Sequence, residues 1–290
     1  MRLERVARAK VNLYLHVGPP GEDGYHPIAS LMMFADIGDR VRLVEGEGLD
    51  LSVSGPFADS LGDDADNLVL KARERLLAGR PVSWAPFHLT LDKQLPIASG
   101  LGGGSADAAA ALVLLRDGLA LDVGDEALHD LAARLGSDVP ACLASCSVIA
   151  TGRGDRLAPA PPLPALDAVL VNPRRPSPTG PVYKAYDRDV DPRGAAPPDW
   201  PTGFDGPEEV AAFVARCRND LQAPALALQP AIADVLAVLA EGPESLFARM
   251  SGSGATCFAL CRTPADAASL TARLTAAHPD WWVKACRLGT

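Results

Sequence analysis

Residues 7–17 alternate between apolar and polar side chains, which is the pattern of a β-strand. Apolar residues occupy the odd positions from Ala7 to Val17, and the even positions hold Arg8, Lys10, Asn12, Tyr14 and His16. One face of this strand is therefore predicted to pack on a core, and the other carries the polar groups. Similar runs predict strands at 28–34, 41–44 and 49–53, so a mainly antiparallel sheet begins the chain.

The most apolar predicted helix covers residues 105–115, an Ala/Leu-rich run that is apolar nearly all round and therefore typical of a buried helix. Residues 173–207 are dense in Pro, Gly, Asp and Arg and are predicted to form a long loop. The remaining predicted elements are helices at 67–77, 126–135 (ending at Gly136), within 223–239 and at 264–277, and strands at 87–92, 166–171, 246–250, 256–261 and 281–286. This order indicates an α+β fold with domains 1–160 and 161–290.

Composition narrows the possible partners. With 27 basic and 36 acidic residues the net charge is −9, which repels a nucleic-acid backbone, and no local basic patch opposes it. No apolar run reaches the roughly 18 residues of a membrane span, and the N-terminal segment lacks the apolar core of a signal peptide. We therefore expect a cytoplasmic protein without nucleic-acid or membrane partners. Six cysteines without CxxC spacing predict neither a zinc site nor disulfides.

The glycine-rich segment 96–107 lies between a predicted strand and the buried helix. Its candidate ligand-binding residues are Pro96, Gly100, Gly102, Gly103, Gly104 and Ser105. Glycines remove the Cβ atoms that hold a ligand away, and the helix that follows presents N–H groups at the positive end of its dipole. We call residues 100–105 the glycine loop and predict that it binds the phosphates of a nucleotide. A mobile hinge is the alternative, but a hinge explains neither the strand nor the helix.

A second glycine turn, which we call the SGSG turn, consists of Ser251, Gly252, Ser253 and Gly254 and lies between two apolar strands. Taken alone, it is equally well a hairpin turn. Two hydroxyl-bearing glycine turns in one chain could nevertheless close around one polyphosphate.

Five further side chains are candidates for chemistry or for acceptor binding, and each has an ordinary structural alternative. Lys10 could serve as a point charge near a phosphate, although a lysine on a strand usually faces solvent. Asp138 could accept a proton in phosphoryl transfer or simply cap a helix. His26, next to Tyr25 in a loop, offers donor and acceptor edges to a planar ligand, although a lone loop histidine is usually just solvated. Tyr183 could bind a ligand or be an ordinary packing aromatic.

Residues 9–13 (AKVNL), the glycine loop and the SGSG turn together resemble the three motifs of the GHMP small-molecule kinases, in their order and spacing. This resemblance spans almost the whole chain. It implies a ribosomal-protein-S5-like N-terminal domain and a ferredoxin-like C-terminal domain, with the active site in the cleft between them. Arg8 departs from the pattern, because a proline commonly stands there, and the departure puts the local backbone path in doubt.

Residues 23–26 (DGYH), 136–140 (GSDVP) and 218–221 (RNDL) resemble a branch of this family whose acceptor carries a cytidine diphosphate group. The resemblance implies that Asp138 takes the proton from the 2-hydroxyl of a methylerythritol moiety while Lys10 offsets the developing charge. It places ATP, with Mg²⁺, on the glycine loop, with the SGSG turn in support and Asn67 and Lys93 near the nucleotide base. It assigns Asn12, Tyr25, His26, Thr179 and Tyr183 to the acceptor.

Two other functions compete with this interpretation. A GHMP kinase for homoserine or mevalonate would share the glycine loops but would not need residues 23–26. A non-catalytic nucleotide sensor on the same scaffold would most simply have lost Lys10 or Asp138, and both are present. The resemblance assigns neither an oligomeric state nor metal ligands.

Overall fold

The computed structural model describes residues 2–46, 50–61, 67–80, 87–189 and 194–289. These residues form two compact units built from interleaved segments of the chain. Unit 1 comprises the residues up to Ala9, Ile37–Ile97 and Gly102–Ser145, and unit 2 comprises Lys10–Asp36, Ala98–Leu101 and the residues from Cys146 onward. The first two strands, β1 (Leu3–Val17) and β2 (Ile28–Glu45), contribute residues to both units.

Unit 1 packs helices against a small sheet. The second half of β2 pairs antiparallel with β4 (Phe87–Asp92), and β3 (Leu51–Ser54) runs parallel to β4. The helices are α1 (Leu68–Leu77), α2 (Gly103–Gly118), α3 (Asp125–Leu135) and α4 (Val139–Ala144), with a 3-10 turn at Ala58–Ser60. Helix α2 contacts the other three helices and is buried without interruption from Ala106 to Leu115, which confirms the predicted core helix.

Unit 2 contains the strands β5 (Val148–Gly152), β6 (Arg156–Pro159), β7 (Leu166–Asn172), β8 (Ser245–Met250), β9 (Cys257–Cys261) and β10 (Trp282–Leu288). Its helices are α5 (Thr179–Asp189), α6 (Pro207–Ala215), α7 (Gln222–Leu228), α8 (Ala231–Glu241) and α9 (Pro264–Ala277). Four strands form an antiparallel sheet in the order β10-β7-β9-β8. Apart from the inserted helices α5 to α7, the elements follow the chain order β7-α8-β8-β9-α9-β10, which is a ferredoxin-like arrangement. The α+β fold class is therefore confirmed.

Several predicted elements need correction. The polar face of β1 is also buried from Lys10 to His16. Residues of the segment 194–206 contact the end of this face: the Tyr14 and Trp200 ring centroids are 6.3 Å apart, and His16 Nδ1 lies 2.8 Å from the carbonyl oxygen of Ala196. The strands predicted at 28–34 and 41–44 are one continuous strand. Residue 49, the start of the third predicted strand, lies outside the described ranges.

The C-terminal half departs from the predictions in several places, and helix α6 is one element that was not predicted. The predicted loop 173–207 contains helix α5, because its apolar Val182 and Tyr186 pack into the core of unit 2. The predicted helical region 223–239 consists of two helices, α7 and α8. The hairpin of β5 and β6 was not predicted at all. Within the described ranges, none of the helices has the length and apolar character that a membrane crossing requires.

Candidate active site

In unit 1 the glycine loop leads directly into helix α2. Gly102 adopts a left-handed conformation, with φ 65°, and stands at the N-cap, so the helix begins at Gly103, two residues before its predicted start. The first N–H groups of a helix have no carbonyl partner within the helix and carry its positive dipole end. Gly104 is exposed in this first turn, and a Cβ built on it would meet only Leu68 Cδ1, at 3.8 Å. The start of α2 therefore has both the charge and the space for a phosphate.

A buried ionic cluster lies directly beneath this turn. Lys93 Nζ donates hydrogen bonds to Asp39 Oδ2 and, over 2.8 Å, to Asp107 Oδ2, and all three residues are at most 2% exposed. A Cβ on Gly103 would lie 3.2 Å from Lys93 Nζ. The resemblance implied a position near the nucleotide base for Lys93; in the structure its ammonium group binds two interior carboxylates.

The two carboxylates of this Asp39–Lys93–Asp107 cluster differ in how many hydrogen bonds their oxygens accept. Asp39 Oδ1 also accepts the N–H groups of Gln94 and Leu95, at 2.5 and 2.8 Å. Asp107 Oδ1 has no hydrogen-bond partner among the described residues. Burial therefore raises the pKa of Asp107 to about 8, against the opposing attraction of Lys93. The two carboxylates keep the pKa of Lys93 above its usual range despite its burial.

Asn67 and Pro96 are two other residues that were predicted to bind the nucleotide. Asn67 is the N-cap of α1, and its side-chain oxygen accepts the N–H of Val69 at 2.9 Å. Helix α1 packs along α2, so this cap stabilises the helix beside the glycine loop. Pro96 is buried just before the loop.

In unit 2 the SGSG turn lies against Gly100. Gly100 has φ 77°, and a Cβ there would collide with the carbonyl oxygen of Ser251, so this approach requires glycine. Ser251 Oγ donates to the Gly100 carbonyl at 3.0 Å, and Thr256 N–H donates to the Ser99 carbonyl at 3.0 Å. The structure thus brings together the two glycine turns that the sequence paired.

Lys10 belongs to a buried hydrogen-bond chain in the same unit. Its side chain is only 4% exposed, and its Nζ donates to Asn12 Oδ1 at 2.8 Å. Asn12 donates from its side-chain nitrogen to Ser30 Oγ at 2.7 Å and from its backbone N–H to Ser251 Oγ at 3.1 Å. The chain Lys10–Asn12–Ser251–Gly100 therefore connects the first predicted motif with the SGSG turn and the glycine loop. Lys10 is not the solvent-facing strand lysine of the alternative interpretation.

Asp138 occupies the N-cap position of α4, yet its side chain makes no capping hydrogen bond. Its backbone is in the right-handed helical region, with φ −85° and ψ −15°, whereas a capping residue usually adopts an extended conformation. The helix-cap alternative for this aspartate is therefore not observed.

The acceptor candidates Tyr25 and His26 differ in their surroundings. Tyr25 is 59% exposed, and the guanidinium carbon of Arg153 lies 4.3 Å from its ring centroid. Arg153 is itself paired with Asp23, whose other side-chain oxygen accepts the N–H of Tyr25 at 2.9 Å. This pair holds the loop around Tyr25 and covers one face of its ring.

His26 lies against helix α5. Its Nε2 is 2.6 Å from Asp187 Oδ1, and its ring centroid is 4.9 Å from that of Tyr183 and 5.7 Å from that of Tyr186. Tyr183, which the resemblance also assigned to the acceptor, is therefore a neighbour of His26. Thr179 at the start of α5 is instead 2.9 Å from Ser253 Oγ, which places it with the SGSG turn.

Four residues of these arrangements were not predicted from the sequence: Asp39, Asp107, Arg153 and Asp187. The first two are acidic residues at positions that become interior, and only an acidic residue in the apolar run 105–115 signalled Asp107. Asp187 would have been found if residues 179–189 had been predicted as a helix, because it follows Tyr183 by four residues and so shares its face.

Two family models match the chain. The model "GHMP kinases N terminal domain" matches residues 67–145, and "GHMP kinases C terminal" matches residues 208–280. A homoserine kinase from Cytophaga hutchinsonii superposes with a TM-score of 0.62 over 96% of this chain and 94% of its own, and a Methanococcus jannaschii mevalonate kinase with 0.67 over 100% and 98%. At 16% and 12% identity, these two structures share the fold.

Relatives named 4-diphosphocytidyl-2-C-methyl-D-erythritol kinase resemble the chain over its full length. One from Caulobacter vibrioides is 56% identical and covers 99% of this chain and 100% of its own, and one from Hyphomonas neptunium is 48% identical over 98% and 95%. A crystal structure of 4-(cytidine 5'-diphospho)-2C-methyl-D-erythritol kinase superposes with a TM-score of 0.77 at 32% identity, over 99% of this chain and 100% of its own.

The chain belongs to the GHMP kinases and, within them, to the family of the 4-diphosphocytidyl-2-C-methyl-D-erythritol kinases. It is a small-molecule kinase, and ATP is one of its substrates.

Proposed function

We propose that this kinase transfers the γ-phosphoryl group of ATP to the 2-hydroxyl of 4-diphosphocytidyl-2-C-methyl-D-erythritol, a step in the non-mevalonate synthesis of isoprenoid precursors. The observation that carries the proposal is the buried chain from Lys10 through Asn12 and Ser251 to Gly100, because it joins the three motifs of the family in unit 2. The full-length similarity to the Caulobacter vibrioides relative supports the same acceptor.

ATP is proposed to bind with its phosphates on Gly102, Gly103, Gly104 and Ser105. These residues are the N-cap and first turn of α2, where free N–H groups favour an anion. The SGSG turn supports the glycine loop through Gly100. Asn67 caps the neighbouring helix α1, and Pro96 is buried just before the glycine loop. Lys93 lies beneath the first turn of α2, bound to its two carboxylate partners.

The described residues contain no group of three or more His, Cys, Asp or Glu side chains suited to a metal ion. Mg²⁺ in kinases is usually held by substrate phosphates and one or two protein oxygens, a mode that does not require such a group. We therefore propose that Mg²⁺ binds with ATP, with the Ser105 hydroxyl as the protein oxygen of the first turn of α2. Bound there, it would offset the negative charge of the phosphates.

In the proposed reaction, the oxygen of the acceptor's 2-hydroxyl bonds to the γ-phosphorus, and Asp138 accepts the proton that this hydroxyl loses. The bond between that phosphorus and the β,γ-bridging oxygen breaks, and ADP leaves. Phosphoryl transfer needs mainly positioning and charge stabilisation, so one carboxylate and one ammonium group are enough. Asn12 holds the ammonium group of Lys10, and the side chain of Asp138 is not used in a helix cap.

The cytidine end of the acceptor is proposed to bind at Tyr25, His26 and Tyr183. His26 and Tyr183 are in ring contact, and Tyr25 presents an exposed ring in the same loop. Asn12 and Thr179 lie with the SGSG turn, so we assign them to the polyol phosphate end. The domain division 1–160 and 161–290, the cytoplasmic location and the absence of nucleic-acid and membrane partners stay predictions of the sequence.

An ADP-release assay with a panel of acceptors tests the proposal. We expect turnover with 4-diphosphocytidyl-2-C-methyl-D-erythritol and none above background with free methylerythritol, homoserine or mevalonate. Phosphorus and carbon NMR of the product should show a new phosphomonoester on the 2-oxygen. Comparable turnover of homoserine or mevalonate would contradict the proposed acceptor, and a product phosphorylated elsewhere would contradict the proposed geometry.

A further inference from the structure

The carboxylate of Asp187 is 2.6 Å from His26 Nε2 and bears on how His26 recognises a base. We propose that Asp187 holds a proton on Nε2 of the His26 ring, so that in the neutral form of the ring Nδ1 is the hydrogen-bond acceptor and favours cytosine over uracil. This inference rests on the proposed function, because it requires that the cytidine end of the acceptor binds at His26.

The chemistry of the Asp187–His26 pair decides where the proton of the ring lies. An ionised carboxylate only accepts hydrogen bonds, so a 2.6 Å contact requires His26 Nε2 to carry the proton. A neutral imidazole has one N–H and one bare nitrogen, and the bare nitrogen is then Nδ1. Asp187 therefore decides which edge of the ring donates and which edge accepts.

Helix α5 holds the ring of His26 in place. Tyr183, Tyr186 and Asp187 follow each other at helical spacing on α5, and all three contact His26. The hydroxyl of Tyr186 donates to the carbonyl oxygen of Val17 at 2.5 Å, which anchors this face of the helix to β1. The His26 side chain is 8% exposed, whereas that of Asp187 is 39% exposed. The ring orientation is thus set by packing, and the proton position is set by the carboxylate.

Cytosine and uracil present opposite hydrogen-bonding groups to an acceptor nitrogen. Cytosine carries an amino group at C4, which donates, and uracil carries a carbonyl oxygen there, which accepts. An acceptor nitrogen at Nδ1 pairs with the amino group and faces a second acceptor when uracil is bound. Stacking on tyrosine rings is blind to this difference, so the preference must come from an edge contact of this kind.

The experiment compares Asp187→Asn with the wild-type enzyme. The amide of asparagine can either accept from Nε2–H or donate to Nε2, so it releases the constraint on the proton with little change of shape. We expect the ratio of kcat/KM for the cytidine acceptor to that for its uridine analogue to fall about fivefold, since a partly exposed pair contributes little more. The KM for ATP and the melting temperature should not change. Asp234→Asn, the same charge change at an exposed position of α8, is the matched control and should keep the wild-type ratio.

A second readout follows the proton itself. In nitrogen-15 NMR of protein labelled at histidine, His26 should show a protonated Nε2 and a bare Nδ1, with its signal assigned by loss in His26→Ala. In Asp187→Asn the two nitrogen shifts should move towards each other as both tautomers become populated. A purely structural role for Asp187 would leave this pattern unchanged.

The outcomes separate the inference from the function on which it rests. If His26→Ala leaves the cytidine-to-uridine ratio unchanged, the base is not read at His26, and that part of the proposed function is wrong. If His26→Ala lowers the ratio while Asp187→Asn keeps both the ratio and the NMR pattern of the wild type, His26 recognises the base without help from Asp187. The proposed role of Asp187 is then overturned.

Discussion

At the scale of single residues, the Asp39–Lys93–Asp107 cluster has one more carboxylate than ammonium groups in an interior that excludes water. Asp39 has three hydrogen-bond donors, whereas Asp107 has one oxygen without a partner among the described residues. We infer that Asp107 is the member that carries a proton at moderate pH, in accord with its pKa raised to about 8. The charge balance of the cluster then becomes testable.

Asp107→Asn, which resembles the protonated acid, should change the free energy of unfolding by about 1 kcal/mol or less, whereas Lys93→Met should cost about 3 to 5 kcal/mol because it strands buried carboxylates. A pKa raised from 3.8 to about 8 stabilises the folded state at low pH, and this stabilisation is lost as pH rises through that range. Urea unfolding between pH 4 and 8 (about the limits of that shift) should therefore show a decline in the wild type that is absent in Asp107→Asn. Parallel pH curves for the two proteins would contradict the assignment.

Lys10 and Asp138 give the prediction for the chemical step. Lys10→Met and Asp138→Asn should each lower kcat by about two orders of magnitude or more, because charge stabilisation and general-base catalysis contribute that much. Methionine keeps the length of the lysine stem in its buried position. The Kd for ATP should stay within severalfold, as measured by calorimetry on variants with a normal circular dichroism spectrum. Near-normal turnover would remove that residue from the mechanism.

At the scale of elements, the start of α2 offers two neighbouring glycines with different surroundings. A side chain on Gly104 meets only Leu68, and one on Gly103 meets Lys93 and Asp39. Gly104→Val should raise the Kd for ATP about tenfold or more, because it covers N–H groups whose bonds to a charged ligand are worth about 1.5 to 3 kcal/mol each. Its stability should hardly change. Calorimetry with ATP measures the effect.

Gly103→Ala is the contrasting variant. Its methyl group would lie 3.2 Å from Lys93 Nζ and 3.4 Å from Asp39 Oδ2, so it should lower the melting temperature through the buried cluster. Unchanged ATP affinity in Gly104→Val would move the phosphate site away from the start of α2. An unchanged melting temperature in Gly103→Ala would instead show that the cluster tolerates displacement.

Elements also show where sequence patterns suffice. The apolar runs of α2 and β9 predicted their structures, because each of these elements buries most of its length. Helix α5 was predicted as loop, since its flanking prolines and glycines outweighed two apolar positions, Val182 and Tyr186, that become buried only against unit 2. Asp187, which contacts His26 from this helix, was missed for the same reason.

At the scale of the whole molecule, the cysteines report on folding. All six are free thiols, and Cys146 alone among them is exposed. Burial raises the pKa of Cys257, Cys261 and Cys286, which makes these thiols unreactive while unit 2 is folded. We expect a thiol reagent to modify Cys146 rapidly in the native protein and to modify no thiol rapidly in the Cys146→Ser variant.

The remaining thiols should react only as the units open. Cys142 lies in unit 1, and the other buried cysteines lie in unit 2. Mass spectrometry of peptides after pulsed labelling in urea therefore shows whether the two units unfold together, which we expect because β1 and β2 contribute to both. Rapid labelling of Cys257 or Cys286 in the absence of denaturant would contradict the buried positions.

The sequence by itself determined the α+β class, the buried helix α2, both glycine turns and the kinase family, because these depend on local spacing and on residue types that few structures require. Tertiary structure alone decided which polar residues lie inside. Lys10 and Lys93 look alike in the sequence, yet one enters a hydrogen-bond chain with Asn12 and Ser251 while the other is held by two carboxylates. Asp187 likewise reaches His26 across 161 positions of the chain. Local propensity carries no information about such contacts, since they arise only when distant segments pack together.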